Sequence, residues 1–388
     1  MAEFPPEIIY DILSRMPIKS LARFRCVCKS WFNYINDPYL ETIHVKEEPT
    51  PIMFPRFLPV DPNNNKLQCK ITFLNLRVIQ GTNWTVKKEP VLKICRDSSF
   101  FDPQNLVLGS CNGLTLFSYN RYPSYDGAIF FAVINPLTKQ YHDLPPINHP
   151  ITGFESPTAG IGFDESTNTL KTVCVILEDQ ISSLDIINVT RKQLRTRVHY
   201  SGMRTWREIA QIPAYPITGE GVFAHGRLHW LASRIKYWSP RDGRKIVWFD
   251  VKTEEFGLID TPTPKGCSWS HHDQVVDLNG EVGFAFFTWN LNRLVIELWI
   301  LKKEEWVFHC CFDLYQAPYN VVVSGCLNKN GDILFTTCDG RHLFVYTLKT
   351  GDLREVNRGD RCEANIRMYQ SNLFLMHHIN TSEKKMIV

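Results

Sequence analysis

A glycine-rich pentapeptide is the first place in the chain where a side chain could act as a nucleophile. Gly109-Ser110-Cys111-Asn112-Gly113 has the spacing of the elbow that carries the serine of many hydrolases, with cysteine in the place of serine. That elbow requires a strand, a sharp turn and then a helix whose amino end helps to hold the oxyanion. Here the apolar run 114–117 continues as a strand after the turn. The pentapeptide therefore predicts a hairpin turn.

Histidine and cysteine pairs are the next candidates, because they could hold zinc. His225 and His229 have the spacing of a zinc pair on a helix, but Gly226 and the alternating neighbours predict a strand, and no glutamate lies between the two histidines. The other close pairs lack the second pair of ligands that a structural zinc site requires. They are Cys26 with Cys28, Cys310 with Cys311, and His271 with His272. No metal site and no cofactor is expected.

Three aspartates recur at or near the ends of predicted strands. Asp164, Asp250 and Asp277 could in principle serve as acids or bases. Carboxylates at strand ends more commonly accept hydrogen bonds from the backbone of the following turn. We therefore expect a structural role for them. The sequence also contains no glycine loop of the kind that cradles phosphates.

The composition is that of a folded chain with more than one domain or with one large repetitive domain. The chain has 388 residues, 44% of them hydrophobic, and a net charge of +3 with its 43 lysine and arginine residues spread along the sequence. This gives no support for nucleic-acid binding. No apolar run approaches the roughly 20 residues that span a bilayer, so we expect no membrane association and a cytoplasmic or nuclear location. Because the interior of a cell is reducing, we expect the 12 cysteines to be free thiols.

The amino-terminal segment predicts three short helices. Ile8, Ile12 and Met16 recur at helical spacing before Pro17, a second stripe contains Leu21 and Phe24, and Asp37-Pro38 ends a third stripe. A unit of under roughly 40 residues rarely buries enough apolar surface to be stable alone. Its apolar stripes therefore require another surface. Periodicity leaves open whether a separate protein or the rest of this chain supplies it.

The residues of this segment resemble the F-box family throughout. The matching stretches are Phe4-Pro5-Pro6-Glu7-Ile8-Ile9, Ile12-Leu13-Ser14-Arg15-Met16-Pro17-Ile18-Lys19-Ser20-Leu21 and Arg23-Phe24-Arg25-Cys26-Val27-Cys28-Lys29-Ser30-Trp31. The resemblance implies docking onto the Skp-type adaptor of a Skp-cullin-F-box ubiquitin ligase, and through it onto the cullin and RING subunits. The implied contacts are Phe4, which stands where the family usually has leucine, together with Pro5, Ile8, Ile12, Leu13, Pro17, Leu21, Phe24, Cys28 and Trp31.

Beyond about residue 100 the sequence predicts repeated β-sheets. Turn signals recur every 40 to 60 residues or so, giving six quasi-repeats, at Asn112-Gly113, Thr167-Asn168-Thr169, His225-Gly226, Asn279-Gly280, Asn330-Gly331 and Ser371-Asn372. The apolar run after each turn is predicted to be an inner strand: 114–117, 173–176, 228–231, 282–286, 333–335 and 373–376. Four-stranded sheets at this period predict a β-propeller, whose last blade an early strand, 71–79 or 52–57, would complete.

This second region resembles the plant F-box-associated domain with kelch-like character. The resemblance is carried by Gly109-Ser110-Cys111-Asn112-Gly113-Leu114, Ile134-Asn135-Pro136-Leu137-Thr138-Lys139-Gln140, Gly160-Ile161-Gly162-Phe163-Asp164, the stretch from Gly221 to Leu231, and Ile246-Val247-Trp248-Phe249-Asp250. The implied organisation is mainly β with a small α-helical module. The F-box covers residues 1–43, a linker with the first propeller strands covers 44–105, and the propeller covers 106–388.

Together the two resemblances imply a substrate-recognition subunit of a ubiquitin ligase, itself without a catalytic step. The target protein is not identifiable from the sequence. Aromatic residues in predicted loops are candidates for its contacts, because aromatic anchors dominate many interfaces; they are Tyr122, Tyr125, Tyr237, Trp238 and Trp269. Two alternatives stay open: a propeller-fold hydrolase with a helical cap, working through paired carboxylates that a sequence cannot reveal, and an F-box binding scaffold outside any ligase.

Overall fold

Among the described residues, four short helices come first, and strands joined by turns and loops follow them. The structure is a computed structural model that describes residues 4–45, 48–55, 58–61, 64–79, 83–97, 105–119, 128–148, 158–177, 194–233, 244–262, 272–290, 293–315, 321–359 and 363–371. The helices are α1 (Pro6–Ser14), α2 (Ile18–Phe24), α3 (Lys29–Ile35) and α4 (Pro38–Ile43). The longest has nine residues, and none of the described helices could cross a membrane.

Proline and aspartate set the boundaries between these helices. Pro17 caps the start of α2, which confirms the predicted break. The third helix ends at Ile35, just before Asp37-Pro38, as predicted. The prediction of three helices is wrong, because α4 begins at Pro38: the Tyr39 N–H donates to the Asp37 carboxylate at 2.9 Å, and Pro38 occupies the first turn. Aspartate followed by proline is a favourable helix start, since proline needs no hydrogen bond at that position.

The strands run from residue 50 to residue 369. In chain order they are β1 (Thr50–Pro55), β2 (Leu58–Asp61), β3 (Asn64–Ile79), β4 (Asn83–Asp97), β5 (Asn105–Cys111), β6 (Leu114–Tyr119), β7 (Ala128–Ile129), β8 (Phe131–Asn135), β9 (Gln140–Asp143), β10 (Ile147–Asn148), β11 (Thr158–Asp164), β12 (Thr169–Leu177), β13 (Leu194–Tyr200), β14 (Arg207–Ile209), β15 (Ile217–Ala224), β16 (Arg227–Ala232), β17 (Lys245–Asp250), β18 (Phe256–Asp260), β19 (Gln274–Leu278), β20 (Glu281–Asn290), β21 (Arg293–Lys302), β22 (Glu305–Tyr315), β23 (Val321–Cys326), β24 (Ile333–Thr337), β25 (Leu343–Thr347), β26 (Asp352–Glu355) and β27 (Ala364–Tyr369).

These strands form antiparallel meanders in a propeller arrangement. Three separate four-stranded sheets have the orders β11-β12-β13-β14, β19-β20-β21-β22 and β23-β24-β25-β26. An eight-stranded sheet, β18-β17-β16-β15-β5-β6-β8-β9, consists of two further meanders that meet where β15 and β5 run parallel for two residue pairs. A five-stranded sheet joins β2, β3, β1 and β27, with β4 on the other edge of β3, and β7 pairs with β10.

The strand before each turn, and not the strand after it, lies innermost. Six strands contact one another around the axis: β5, β11, β15, β19, β23 and β27. The prediction of the inner strands is therefore wrong by one position, because the described runs among those predicted lie on the second strand of each meander. The innermost strands were hard to recognise because close packing requires small residues in them. A Cβ on Gly109 would lie 2.4 Å from the carbonyl oxygen of Gly221 in the neighbouring meander. Run 373–376 lies outside the described residues.

An early strand closes the ring, as the sequence predicts. β1 pairs with β27 along its whole length, from Thr50 opposite Tyr369 to Pro55 opposite Ala364. Both early segments proposed for this role belong to the closing sheet: 52–57 overlaps β1, and 71–79 forms part of β3, which pairs with β1. Pairing of the two ends of the domain leaves no long unpaired inner edge at the closure.

The predicted hairpin turns are confirmed by their backbone angles. Asn112 and Gly113 have φ values of 49° and 75°, and His225 and Gly226 have values of 50° and 76°. Two consecutive residues at positive φ characterise the tight turns that match the twist of paired strands. The strand–turn–strand arrangement of β5 and β6 also confirms that the cysteine pentapeptide forms a hairpin. Asn372, in the last predicted turn, lies outside the described residues.

A buried ion network joins two neighbouring meanders. The Lys171 ammonium on β12 lies 3.0 Å from Asp164 and 3.1 Å from Glu254, and it donates to the Val251 carbonyl oxygen at 2.5 Å. Glu254 also accepts hydrogen bonds from Tyr200 and Arg207. The side chains of Lys171 and Asp164 are only 5% and 2% exposed, so each charge depends on the other for its stability.

Replacing Lys171 with methionine is expected to destabilise the propeller by about 3–5 kcal/mol, because Asp164 would then be buried without its counter-ion. Lys245 provides a matched control: its partner Asp260 is 78% exposed, and Lys245→Met should cost under about 1 kcal/mol. Urea denaturation followed by intrinsic fluorescence measures both. Equal losses in the two variants would show that the Lys171 network contributes no more than a surface pair.

The same network predicts acid sensitivity. Burial opposes ionisation of Asp164, but hydrogen bonds from Ser166 and Lys171 hold its pKa below the ordinary value, and bonds from Tyr200, Lys171 and Arg207 do the same for Glu254. Carboxylates with lowered pKa values stabilise the folded state above their unfolded pKa values, and this contribution is lost as the pH falls through the folded ones. The wild type should lose more stability than Lys171→Met on acidification below about pH 4.

Candidate functional site

The four helices enclose a small apolar core of their own. Five side chains are almost completely buried where the helices meet: Leu13, Ile18, Leu21, Ile35 and Leu40. Tyr10, Phe24, Trp31 and other half-buried residues pack around them. The module therefore has a buried apolar core, formed mainly by its own helices.

Apolar side chains also remain on the outside of the module. Phe4 is 71% exposed, Ile8 46% and Ile12 52%. Because they are spaced four residues apart at and along α1, they form one stripe, which we call the α1 stripe. Val27, just after α2, is 64% exposed, and Phe32 on α3 is 46% exposed. Clustered exposed apolar residues on so small a unit indicate an interaction surface.

Aromatic contacts fix the helices that carry this surface. Tyr10 donates a hydrogen bond to Asp37, and its ring meets those of Tyr34 and Tyr39 edge-on at centroid distances of 5.2 Å and 5.1 Å. Burial and the bond to Asp37 raise the pKa of Tyr10 to about 12, so it remains a neutral donor at physiological pH. Tyr10 thus ties α1 to α3 and to the start of α4.

The propeller contacts another part of the module. The Lys19 ammonium on α2 lies 3.0 Å from Glu89 on β4 and 4.8 Å from the centre of the Phe73 ring on β3. The hydrogen bond from Lys19 lowers the pKa of Glu89. Leu137, in the turn between β8 and β9, packs against both the helical core and the propeller core. One surface of the module is therefore covered by the chain itself, while the α1 stripe stays open.

Comparisons with known families match both parts of the chain. The F-box domain matches residues 1–42, and the F-box associated beta propeller domain matches residues 68–379. The chain belongs to the F-box proteins with an F-box associated propeller. An F-box protein of Arabidopsis thaliana is 28% identical over 92% of this chain and 88% of its own length, and another is 25% identical over 78% and 70%.

One solved structure that resembles this F-box protein does so only weakly. An α-L-arabinofuranosidase from Fusarium graminearum has 13% sequence identity and a TM-score of 0.42, and the match covers 67% of this chain and 83% of that one. A likeness at this level carries no information about activity.

The predicted adaptor contacts of the F-box fall into three groups by exposure. Phe4, Pro5, Ile8, Ile12, Pro17 and Cys28 are exposed, and Phe24 and Trp31 are half-buried, packed edge-on against each other at 5.0 Å. Leu13 and Leu21 are 1% and 0% exposed. These two side chains belong to the helical core of the chain, and their contact with an adaptor stays a prediction. Val27, which was not among the predicted contacts, adds to the exposed surface.

The predicted target contacts of this F-box protein lie outside the described residues. This applies to Tyr122, Tyr125, Tyr237, Trp238 and Trp269. Their role in binding a target stays a prediction.

The described part of the propeller contains an axial cavity of about 500 Å³. Glu220 and Arg367, from β15 and β27, form an ion pair across it. Burial raises the pKa of Glu220 while Arg367 opposes the shift. Asp277 also lines the cavity, and its carboxylate accepts the Gly280 N–H at 2.7 Å. The cavity therefore contains charged groups, one pair of which bridges two innermost strands.

The strand-end aspartates and the histidine pair contact neighbouring groups of the fold. Asp250 accepts the N–H groups of Lys252 and Thr253 at 2.9 and 3.1 Å, and Asp164 accepts that of Ser166 at 3.0 Å. These bonds, like that of Asp277, confirm the predicted role at turns. His229 lies on a strand, where burial lowers its pKa to about 4, and His225 contacts Glu281 at 2.9 Å.

The described histidine and cysteine side chains offer neither a metal-ligand cluster nor, at Cys111, an activated thiol. Among the described residues, no three side chains of histidine, cysteine, aspartate or glutamate are grouped so that they could hold a metal. Cys111, at the centre of the pentapeptide, is buried, and burial raises the pKa of its thiol. A thiol with a raised pKa is a poor nucleophile, because the thiolate is the reactive form.

Proposed function

We propose that this F-box protein is the substrate-recognition subunit of a Skp-cullin-F-box ubiquitin ligase, acting in the cytoplasm or nucleus. The observation that carries the proposal is the α1 stripe: Phe4, Ile8 and Ile12 are exposed on a module whose other apolar side chains form a buried core. Covering exposed apolar side chains with a complementary groove removes them from water, and this stabilises the complex. The Skp-type adaptor is the partner that membership of the F-box family implies.

The propeller would hold the target protein on its loops. With the adaptor linked through the cullin to the RING subunit, a bound target lies close to a ubiquitin-loaded conjugating enzyme. Such tethering converts a bimolecular encounter into a nearly intramolecular one. The chain therefore requires no reactive side chain of its own, and we assign no catalytic step to it.

We also propose that the propeller ring has six blades. Three come from the separate four-stranded sheets, two from the meanders of the eight-stranded sheet, and one from the closing sheet of β27, β1, β3 and β4. This grouping gives each blade one innermost strand. It agrees with the six quasi-repeats predicted from the turns.

The contacts between the F-box and the propeller support the proposed function. Lys19, Glu89 and Leu137 connect the F-box to two different sheets. A target held on the propeller would then have a defined position relative to the adaptor, which favours productive transfer over random encounters.

Reconstitution distinguishes a ligase subunit from a scaffold. The purified chain is combined with a Skp-type adaptor, cullin, RING subunit, activating enzyme, conjugating enzyme and ubiquitin. We expect ubiquitin conjugates on the chain itself, and we expect them to disappear when the adaptor is omitted or when Ile12 is changed to aspartate. A stable complex with the adaptor that yields no conjugates in the complete mixture would instead identify a binding scaffold.

A further inference from the structure

The hairpin of β3 and β4 concentrates positive charge. Residues 64–97 contain seven lysine and arginine residues against two carboxylates, whereas the whole chain, with 43 basic and 40 acidic residues, has a net charge of only +3. The rest of the chain is therefore slightly acidic. Basic residues are spread over the sequence as a whole, but this one element carries an excess that a count over the chain conceals.

Two of these cations are placed where they repel each other. Lys70 and Lys93 are directly opposite on neighbouring strands, and both side chains are exposed. Neither forms an ion pair with any residue that the structure describes. Like charges directly opposite each other destabilise a sheet. The arrangement therefore costs stability in the free chain, and an anionic partner would relieve that cost.

The same hairpin is accessible along its outer side. Apart from one bridge between Thr85 and Asn357, β4 pairs only with β3 among the described strands. Beside it lies an open groove of about 650 Å³, whose charged lining is Arg77, Lys87 and Lys88 against Glu48 and Glu89, with Trp84 as its aromatic residue. Lys19 pairs with Glu89, so the groove keeps a positive balance. From Trp84 to Lys93 the strand covers about 30 Å, at roughly 3.3 Å per residue. An extended segment of nine or so residues would match this length.

We propose that the outer strand β4 and its groove form a docking site for an extended acidic polypeptide segment. Exposed lysines also discourage strands from pairing edge to edge, but that role requires no lysine on β3, and Lys70 lies on β3 opposite Lys93. A nucleic acid would require a broader basic field and several stacking aromatics, whereas this groove is lined by one, Trp84. Within the proposed ligase the segment would belong to the target, although binding itself does not depend on ligase activity.

The test uses the full chain without adaptor and three labelled probes. They are a ten-residue peptide of alternating glutamate and serine, the matching lysine–serine peptide, and a ten-nucleotide oligothymidylate. The variant Lys87→Glu/Lys93→Glu reverses two charges on β4. The control Arg204→Glu/Lys252→Glu makes the same change in exposed turns of other sheets. Thermal melting confirms that both variants are folded, and fluorescence anisotropy measures binding.

We expect the acidic peptide to bind and the lysine peptide to fail. The β4 variant should bind the acidic peptide at least about tenfold more weakly, because several charge contacts reverse sign together, while the control should change by less than about threefold. Raising the salt concentration should weaken binding. Equal losses in both variants, tighter binding of the oligonucleotide, or no binding of the acidic peptide by the wild type would each overturn the proposal.

Discussion

Changing Ile12 to aspartate is expected to weaken binding of a Skp-type adaptor by at least about 30-fold, and changing Ile8 as well should bring binding below detection. Both residues are about half exposed on α1, so neither substitution removes a buried group from the fold. Apolar anchors at the centre of an interface commonly contribute about 2–4 kcal/mol each, and about 1.4 kcal/mol corresponds to a tenfold change in affinity. Calorimetric titration of the purified chain with the adaptor measures the loss.

Met203 supplies the matched control for this prediction. It is an apolar residue on the propeller that is 62% exposed, so Met203→Asp makes the same kind of change outside the F-box. Its adaptor affinity should equal that of the wild type. Leu21→Ala is the second control, since removing a buried side chain disrupts the core of the F-box. If Met203→Asp weakened binding as much as Ile12→Asp, the α1 stripe would not be the contact surface.

Changing Trp230 to alanine is expected to destabilise the propeller by about 3–5 kcal/mol, the range for large aromatic residues in well-packed cores. Trp230 is completely buried, and its indole N–H donates to the Ala159 carbonyl oxygen of the neighbouring meander at 3.2 Å. The ring fits there because Gly160 has no side chain: a Cβ on that residue would lie 2.7 Å from the ring. The substitution therefore leaves a cavity between two meanders.

Trp248, on the adjacent strand β17, is the control for Trp230. It is only half-buried and is stacked under the Arg227 guanidinium at 4.2 Å. Trp248→Ala should cost about 1–2 kcal/mol, because less surface loses its burial. Urea denaturation of the three proteins gives the comparison. Equal destabilisation by the two substitutions would mean that the contact of Trp230 between meanders contributes no more to the free energy of unfolding than the half-buried Trp248 does.

The sequence predicts which helices, strands and turns form better than it predicts which side chains of each element are buried. Asn-Gly and His-Gly turns were identifiable because few residues adopt positive φ without strain. On α1, however, the apolar residues surround much of the helix: Ile12 is 52% exposed and Leu13 beside it only 1%. Both match the F-box pattern equally well. Only packing against α3 and α4 determines which residue faces inward.

Contacts between distant segments were the least predictable feature. Leu137 lies in a turn nearly a hundred residues beyond the F-box, and the turn signals around it identify only the hairpin. The innermost strands were misplaced by one position because glycines such as Gly109 and Gly221 make them look less apolar than the second strands. These glycines allow two innermost strands to approach closely, and no local sequence pattern reveals such a contact.

Amide hydrogen exchange of the chain, with and without a Skp-type adaptor, tests the proposed docking most directly. We expect the adaptor to slow exchange in α1 and in the segment from α2 to α3, which carry Phe4, Ile8, Ile12, Val27 and Phe32, and to leave the propeller strands unchanged. Such slowing would follow from covering the exposed apolar surface of the F-box. Unchanged exchange in these helices at saturating adaptor, or slowing confined to the propeller, would contradict the account.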